Sequence, residues 1–438
     1  LDPELLGKVF ENLLASYNPE TKTTARKQTG SFYTPREIVN YMVEESLIAY
    51  LKNELLHEEA GVQELGKKQI ALFGNETKAA QLAFETKVDE SPFKDKEDEL
   101  DVMLHQLVSY SEINPFIHYP EVNKKIIKAL DNCKILDPAC GSGAYPMGIL
   151  QKMVHILHKI DPNNTEWKQR QIDRVNEAIE RLELLDDVEF KNKGIKELKT
   201  QILDIEEAFA NNELDYGRKL YLIENCIYGV DIQPIATQIS KLRFFISLVV
   251  DQKVDAAKDN FGVRPLPNLE TKFVAANTLI GLPKQKAQGS LFDKRDVKTL
   301  EDELKKVRHK LFSVKTPSIK RELRIKDKEL REQMSEALAE QFGNETAQLL
   351  AKWDPYDQNT SSPFFDTEWM FDISNGFDIV IGNPPYIQMQ KDGGFLANLY
   401  KNQNFETYER TGDIYALFYE NGIKLLKTKG NLNYITSN

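Results

Sequence analysis

The sequence predicts an α/β fold built on a parallel sheet, and two observations predict it. Short apolar runs alternate along the chain with longer segments of helical periodicity. Several of these runs end at a polar residue or a glycine-rich loop and lead directly into a helical segment, as strands of a parallel sheet do. With 438 residues, 41% of them hydrophobic, the chain can form such a sheet together with further helical regions.

Five apolar runs are predicted to be the strands of this sheet. They cover residues 134–136, 227–230, 272–275, 377–382 and 432–436. Three of the runs end at Asp137, Asp231 and Asn383, and a fourth ends near Asn277. Because ligands bind at the carboxyl ends of the strands in an open parallel sheet, we expect these four polar residues to lie at one site.

The helical segments divide the predicted organisation into four parts. Residues 1–130 form an N-terminal helical region, and residues 131–285 form the first part of the sheet domain, with a helical insertion at about 160–225. Residues 286–365 are predicted to be an inserted helical hairpin, because leucine and valine repeat there at spacings of four and three. Residues 366–438 form the second part of the sheet domain, which we expect to be truncated at its C-terminal end.

Composition and charge exclude several classes of protein. The chain carries 57 Lys and Arg against 68 Asp and Glu, a net charge of −11, which does not fit a protein that simply coats nucleic acid. No apolar run approaches the roughly 18 residues of a membrane span. Cys133, Cys140 and Cys226 are too few and too scattered for a disulfide framework or a metal site, so we expect no metal and a reducing, cytoplasmic setting.

A glycine-rich loop follows the first strand. Residues 137–143 read Asp-Pro-Ala-Cys-Gly-Ser-Gly, and the glycines let the backbone turn tightly and approach a ligand. The helix that follows would present its N-terminus to an anionic group. Taken alone, the loop is also typical of an ordinary turn between strand and helix, and Asp231, which could bind ribose hydroxyls, could equally cap a helix.

The sharpest motif is Asn383-Pro384-Pro385-Tyr386, at the end of the clearest strand. The two prolines fix the backbone, so the Asn383 side-chain oxygen and the Pro384 carbonyl would be two acceptors in fixed positions. Such a pair can bind both protons of an exocyclic amine. Tyr386 offers a flat face on which a base can stack, an interaction worth about 1–3 kcal/mol.

Taken together, these residues resemble the gamma-order N6-adenine DNA methyltransferases. Residues 30–35 (Gly-Ser-Phe-Tyr-Thr-Pro) are similar to motif X, 137–143 to motif I, 230–232 to motif II, Asn277 to motif III and 383–386 to the NPPY motif IV. Their order along the chain is also that of the family. The stretches 5–11 and 412–418 resemble the large type IIG restriction–modification and BREX-type phage-defence methyltransferases.

The resemblance implies a Rossmann-like sheet and S-adenosyl-L-methionine as cofactor. It places Tyr33 and Thr34 at the methionine end of the cofactor, Asp231 on the ribose, Ile232 on the adenine face and Asn277 on the adenine amine. The implied cofactor-binding residues are Tyr33, Thr34, Asp137, Ala139, Cys140, Gly141, Gly143, Asp231, Ile232 and Asn277. The implied catalytic residues are Asn383, Pro384, Pro385 and Tyr386.

The expected activity is transfer of a methyl group to N6 of a flipped adenine in double-stranded DNA, within a restriction–modification or phage-defence system. A nuclease and a target recognition domain, fused or separate, would lie outside this chain, and no membrane is involved. Two alternatives stay open. The amine could be cytosine N4 or a protein glutamine, or the chain could be a subunit that binds cofactor without catalysis.

Overall fold

A computed structural model describes eight main ranges of the chain, residues 34–56, 92–93, 96–183, 214–252, 267–282, 294–314, 316–342 and 344–436. It also describes isolated residues and short stretches between 7 and 24, 191 and 206, and 257 and 261. In these ranges, no helix combines the length and apolar character needed to cross a bilayer.

The centre of the molecule is a parallel sheet of five strands. The strands are β1 (Ile135–Asp137), β2 (Ile227–Asp231), β3 (Phe273–Ala275), β4 (Phe377–Gly382) and β5 (Leu426–Tyr434). Their spatial order is β3-β2-β1-β4-β5, and every neighbouring pair is parallel. This is the Rossmann-like α/β fold that the sequence predicts. The strand order reverses between β1 and β4, so the ligand-binding crevice of such a sheet lies above their carboxyl ends.

Helices cover both faces of the sheet. They are α1 (Arg36–Leu56), α2 (Glu97–Val108), α3 (Pro120–Asn132), α4 (Ala144–Ile160), α5 (Thr165–Glu183), α6 (Leu214–Asn225), α7 (Pro234–Val249), α8 (Lys294–Ser313), α9 (Pro317–Phe342), α10 (Asn344–Lys352), α11 (Thr367–Phe371), α12 (Phe395–Tyr400) and α13 (Tyr415–Leu425).

The two faces use alternate residues of the same strands. Ile135 and Ile379 pack into a core shared with α1 to α4, whereas Leu136 and Val380 pack into a second core shared with α8 to α11. This alternation is the period of two that an extended strand imposes on its side chains. The sheet is therefore buried between the N-terminal helices and the helices of residues 294–371.

Strand β5 differs from the prediction at its start. The prediction placed it over residues 432–436, whereas the strand begins at Leu426. Its pairing with β4 is interrupted by extra residues, because Phe377 faces Leu426 but Ile379 faces Asn431. Lys429, with a φ of 68°, lies within this bulge. A polar, bulged segment lacks the apolar alternation that would have marked it as strand.

The start of helix α1 is fixed by the backbone at Pro35. The Pro35 carbonyl accepts the first helical bonds, from the backbone amides of Ile38 and Val39, at 3.0 and 3.1 Å. Helix α1 therefore starts at Arg36, and Thr34 precedes it in a buried position. Its hydroxyl is thereby placed to contact other parts of the chain.

Candidate active site

The glycine loop (residues 137–143) is held between β1 and β2 by backbone contacts. The Cys140 amide donates to the Val230 carbonyl at 2.8 Å, and the Gly141 amide donates to Asp231 Oδ2 at 2.9 Å. Gly143 is the N-cap of α4 and has a φ of 79°. These contacts join the loop to the carboxyl end of β2 and aim the start of α4 at the crevice.

At two glycines of the site, the neighbouring atoms leave no room for a side chain. A Cβ on Gly143 would lie 2.8 Å from Ser240 Oγ, and a Cβ on Gly382 would lie 2.7 Å from Asp137 Oδ1. A Cβ on Gly141 would meet no atom within 4 Å, so this part of the loop faces open space. The loop is thus packed against the protein on one side and accessible to a ligand on the other.

Asp137 is a buried carboxyl at the end of β1, with 1% of its surface exposed. Its Oδ1 accepts from the Ala139 amide at 3.1 Å, whereas its Oδ2 has no hydrogen-bond partner within the described part of the chain. Burial raises the pKa of this carboxyl well above its usual value, and the charge of Asp231 raises it further. A buried acceptor without a described partner favours a ligand that donates a hydrogen bond to it.

Asp231 ends β2 beside an exposed apolar side chain. Its Oδ1 accepts from the Gln233 amide at 2.8 Å, opposite the contact that its Oδ2 makes with Gly141. Burial raises the pKa of the Asp231 carboxyl to about 6. The neighbouring Ile232 is 55% exposed, so an apolar surface lies next to a fixed carboxylate.

Asn277, past the end of β3, is joined to a residue that sequence reasoning missed. Its Nδ2 donates to the Tyr400 hydroxyl at 3.1 Å, and its Oδ1 accepts from the Leu279 amide at 3.2 Å. Both Asn277 and Tyr400 are buried. No motif indicates Tyr400, since it lies 123 positions further along, and α12 carries it back to the end of β3.

The NPPY segment continues directly from β4. Asn383 Nδ2 donates to Thr34 Oγ1 at 3.1 Å, and the Tyr386 hydroxyl lies 2.7 Å from Asn383 Oδ1. Pro384 is buried, whereas Pro385 and Tyr386 are half-buried. Burial raises the pKa of the Tyr386 hydroxyl. The Asn383 amide is therefore held on two sides.

Residues 412–414 brace the loop that follows the motif. Asp413 Oδ1 accepts from the Ile387 amide at 3.0 Å, and the Ile414 amide donates to the Ile387 carbonyl at 3.0 Å. The Met389 amide donates to the Gly412 carbonyl at 2.9 Å. Residues 412–414 thus fix the exit of the chain from the NPPY segment.

The structure brings most of the predicted site residues to one edge of the sheet. Asp137, Asp231 and Asn277 follow β1, β2 and β3, and the NPPY segment follows β4. Thr34 joins them through Asn383, 349 positions away. Tyr33 lies outside the described residues. Among the residues that are described, no three His, Cys, Asp or Glu side chains are grouped so that they could hold a metal ion.

Two comparisons with known proteins bear on this edge. Residues 225–438 match the model of the Eco57I restriction-modification methylase family, a range that contains Asp231, Asn277 and the NPPY segment. A Methanocaldococcus jannaschii protein named as a type II restriction enzyme and methyltransferase is 24% identical over 99% of this chain. Both comparisons are similarities to restriction–modification methyltransferases. The chain spans 34% of that relative's length.

Proposed function

We propose that this chain transfers a methyl group from S-adenosyl-L-methionine to N6 of an adenine flipped out of duplex DNA, in a restriction–modification or phage-defence system. The observation that carries the proposal is the position of Asn383. It follows Gly382 at the end of β4, next to β1, where the strand order reverses and where Gly382 lies against Asp137 of the glycine loop. An amine bound by Asn383 would lie next to a ligand bound by that loop.

The side chains at the edge of the sheet fit this cofactor. Asp137 Oδ2, a buried acceptor without a described partner, suits the ammonium of the methionine part. Asp231 suits ribose hydroxyls, because a carboxylate can accept further bonds beside the two it already accepts. The exposed side chain of Ile232 suits a face of the adenine ring, and the open space at Gly141 admits the ligand.

The residues of the NPPY segment act on the target amine. The cofactor supplies an electrophilic methyl group on a sulfonium. The N6 lone pair of adenine is delocalised into the ring, and two acceptors, Asn383 Oδ1 and the Pro384 carbonyl, localise it by binding both amine protons. Holding the amine in line with the methyl group supplies much of the rate. As N6 bonds to the methyl carbon and the bond from that carbon to sulfur breaks, N6 becomes positively charged and releases one proton to solvent, so no strong base is needed.

The target base must leave the duplex to reach Asn383, at a cost of a few kcal/mol. The Tyr386 ring is half-buried, and the Tyr415 ring lies edge-on to it at 6.0 Å between centroids. A second ring in this arrangement restricts how Tyr386 can turn. Tyr386 therefore offers a flat surface of defined direction to the flipped base.

A methylation assay tests the proposal. The chain is incubated with labelled S-adenosyl-L-methionine and genomic DNA, and the nucleosides are separated and identified by mass spectrometry. We expect N6-methyladenine, lost by at least about 100-fold in Asn383→Ala, since the amine then loses its acceptor. Asn225→Ala, at the opposite end of the sheet, is the matched control and is expected to keep the activity.

The other outcomes separate the alternatives. N4-methylcytosine as the product, or label in a protein glutamine, would replace adenine as the substrate. Cofactor binding without transfer to any acceptor, in a folded chain, would indicate a non-catalytic subunit. Each of these results contradicts the proposal as stated.

A further inference from the structure

The Asn277 side chain is held by two neighbours, and one of them settles which of its amide atoms is the oxygen. The Leu279 backbone amide lies 3.2 Å from one side-chain atom of Asn277. A backbone N–H can only donate, so the atom that faces it is the acceptor, Oδ1. The other atom is therefore the nitrogen, Nδ2, and it donates to the Tyr400 hydroxyl oxygen at 3.1 Å.

The Tyr400 hydroxyl is committed to this amide. Within the part of the chain that the structure describes, it hydrogen-bonds only to Asn277, and its second contact, with Oδ1, is longer at 3.3 Å. Tyr400 is 2% exposed and Asn277 is 8% exposed, so water competes little for these contacts. Removing the hydroxyl would leave the Leu279 amide as the remaining hold on the side chain.

The segment that carries Asn277 links the glycine loop to the chain that follows the NPPY segment. Thr278 Oγ1 donates to the Pro138 carbonyl of the glycine loop at 2.7 Å. Leu279 is buried in one cluster with Tyr400, which α12 supplies. The setting of the Asn277 amide beside the glycine loop thus depends on a residue from the far side of the NPPY segment.

A primary amide fixed in this way can distinguish two purines. It has two N–H donors and two acceptor positions, and Tyr400 and Leu279 use one of each at the shorter distances. An edge of adenine presents an amine that donates beside a ring nitrogen that accepts, a pattern that an asparagine amide pairs with. Hypoxanthine carries a carbonyl in place of that amine, so the same amide would present its oxygen to another oxygen.

We propose that Tyr400 is a positioning residue that holds the Asn277 amide in the orientation that selects adenine over hypoxanthine in the bound cofactor. Its contact with Nδ2 opposes a turn of the amide, and a turned amide would accept a purine of the opposite pattern. The presence of the cofactor at this site rests on the proposed function. The contact between Tyr400 and Asn277 does not.

Calorimetric titration with two stable cofactor analogues tests the proposal. S-adenosylhomocysteine carries adenine, and S-inosylhomocysteine differs from it only in carrying hypoxanthine. We expect the wild-type chain to bind the first about 10-fold or more tightly, because the second reverses the paired pattern. In Tyr400→Phe, which lacks only the hydroxyl, we expect this preference to fall about threefold or more, because both amide orientations become populated.

Tyr408→Phe is the matched control. The Tyr408 hydroxyl donates to the Ala397 carbonyl at 2.9 Å in the same buried cluster, and within the described residues it makes no hydrogen bond to Asn277. Each substitution removes one phenol hydroxyl and its hydrogen bond, so the two losses of stability are expected to be similar. An equal loss of preference in both variants would show that the hydroxyl acts through the fold, and would overturn the proposal.

A double variant asks whether Tyr400 acts through Asn277. Asn277→Ala removes the amide, so adding Tyr400→Phe to it is expected to leave the remaining preference between the two analogues unchanged. A further loss of preference in the double variant would give Tyr400 another route to the ligand and overturn its role as a positioning residue.

The two proposals fail separately. A wild type that binds both analogues equally, or a folded Tyr400→Phe that keeps the full preference, would reject the role of Tyr400 and retain the cofactor. A folded wild type that binds neither analogue would reject the cofactor of the proposed function, and the role of Tyr400 with it. A preference that depends on Tyr400, in a chain that never methylates DNA, would retain the role and reject the proposed transfer.

Discussion

Asp137 and Asp231 end neighbouring strands, and burial raises the pKa of both carboxyls. Two carboxyls of raised pKa at one proposed ligand site make binding sensitive to protons, because the proposed ammonium and hydroxyl groups interact best with ionised carboxylates. The folded state holds the proton on Asp231 more tightly than the unfolded chain. Its contribution to stability is therefore highest below the unfolded pKa and declines as the pH rises toward about 6.

The affinity for S-adenosyl-L-methionine is expected to fall in acid. With the pKa of Asp231 at about 6, protonation alone predicts a Kd about fourfold higher at pH 5.5 than at pH 7.5. The rise of the Asp137 pKa adds to this in the same direction. Calorimetric titrations at pH 5.5, 6.5 and 7.5 measure the effect. A Kd that stays constant over this range would contradict it.

Gly382→Ala is expected to disturb the site more than a glycine substitution elsewhere. The added Cβ would lie 2.7 Å from Asp137 Oδ1, so the carboxyl must move, at a cost of about 1–3 kcal/mol. Gly217→Ala, within α6, is the matched control. A Cβ at Gly217 would lie 4.0 Å from the nearest atom, which belongs to the Trp167 side chain.

The two glycine variants are compared by thermal unfolding and by cofactor titration. We expect Gly382→Ala to lower both the Tm and the cofactor affinity, and Gly217→Ala to raise the Tm slightly, as alanine does inside a helix. Equal effects of the two substitutions on affinity would contradict the packing argument at Asp137.

Individual side-chain contacts were the least predictable part of the site. The residue types indicated a ligand site at the strand ends, but the sequence could not show that Thr34 contacts Asn383 or that Tyr400 contacts Asn277. Both contacts join positions more than 120 apart. They depend on where α1 and α12 pack, and local patterning does not encode that.

At the scale of elements, strand prediction succeeded where buried apolar runs were uninterrupted. The strand 377–382 was predicted with the bounds that β4 has, because all but one of its residues are buried and apolar residues dominate it. The edge strand β5 was predicted too short. Its first half is polar, and its register is set by the bulge and by an ion pair of 2.8 Å between Lys427 and Asp378.

The bulge in β5 is expected to carry backbone strain at Lys429. A lysine at a φ of 68° costs up to about 1–2 kcal/mol relative to its preferred conformations. Lys429→Gly should therefore raise stability by up to about 1 kcal/mol, since glycine adopts this conformation freely but loses more entropy on folding. Urea unfolding measures the change, and a loss of stability would show that the lysine side chain outweighs the strain.

At the scale of the whole molecule, the N-terminal helices are an integral part of the sheet domain. Helix α1 packs on β4 and β5, where Asn433 Nδ2 donates to Ser46 Oγ at 3.0 Å, and it shares a core with α2, α3 and α4. The fold class followed from sequence, because alternating strands and helices admit few arrangements, and the location of the ligand site at the strand ends stays a prediction. The boundaries of the four predicted domains stay a prediction.

Strand β4 pairs with β1, and the paired residues Ile135 and Ile379 are 244 positions apart. Pairing residues this far apart in sequence requires the chain between them to close into a long loop. The entropic cost of that closure comes before any stabilising contact forms, so such pairing is slow. The glycine loop follows β1 and the NPPY segment follows β4, so this pairing brings them together at one edge of the sheet. During synthesis, the first would emerge long before the second, and a complete pocket would mark a chain that has finished folding.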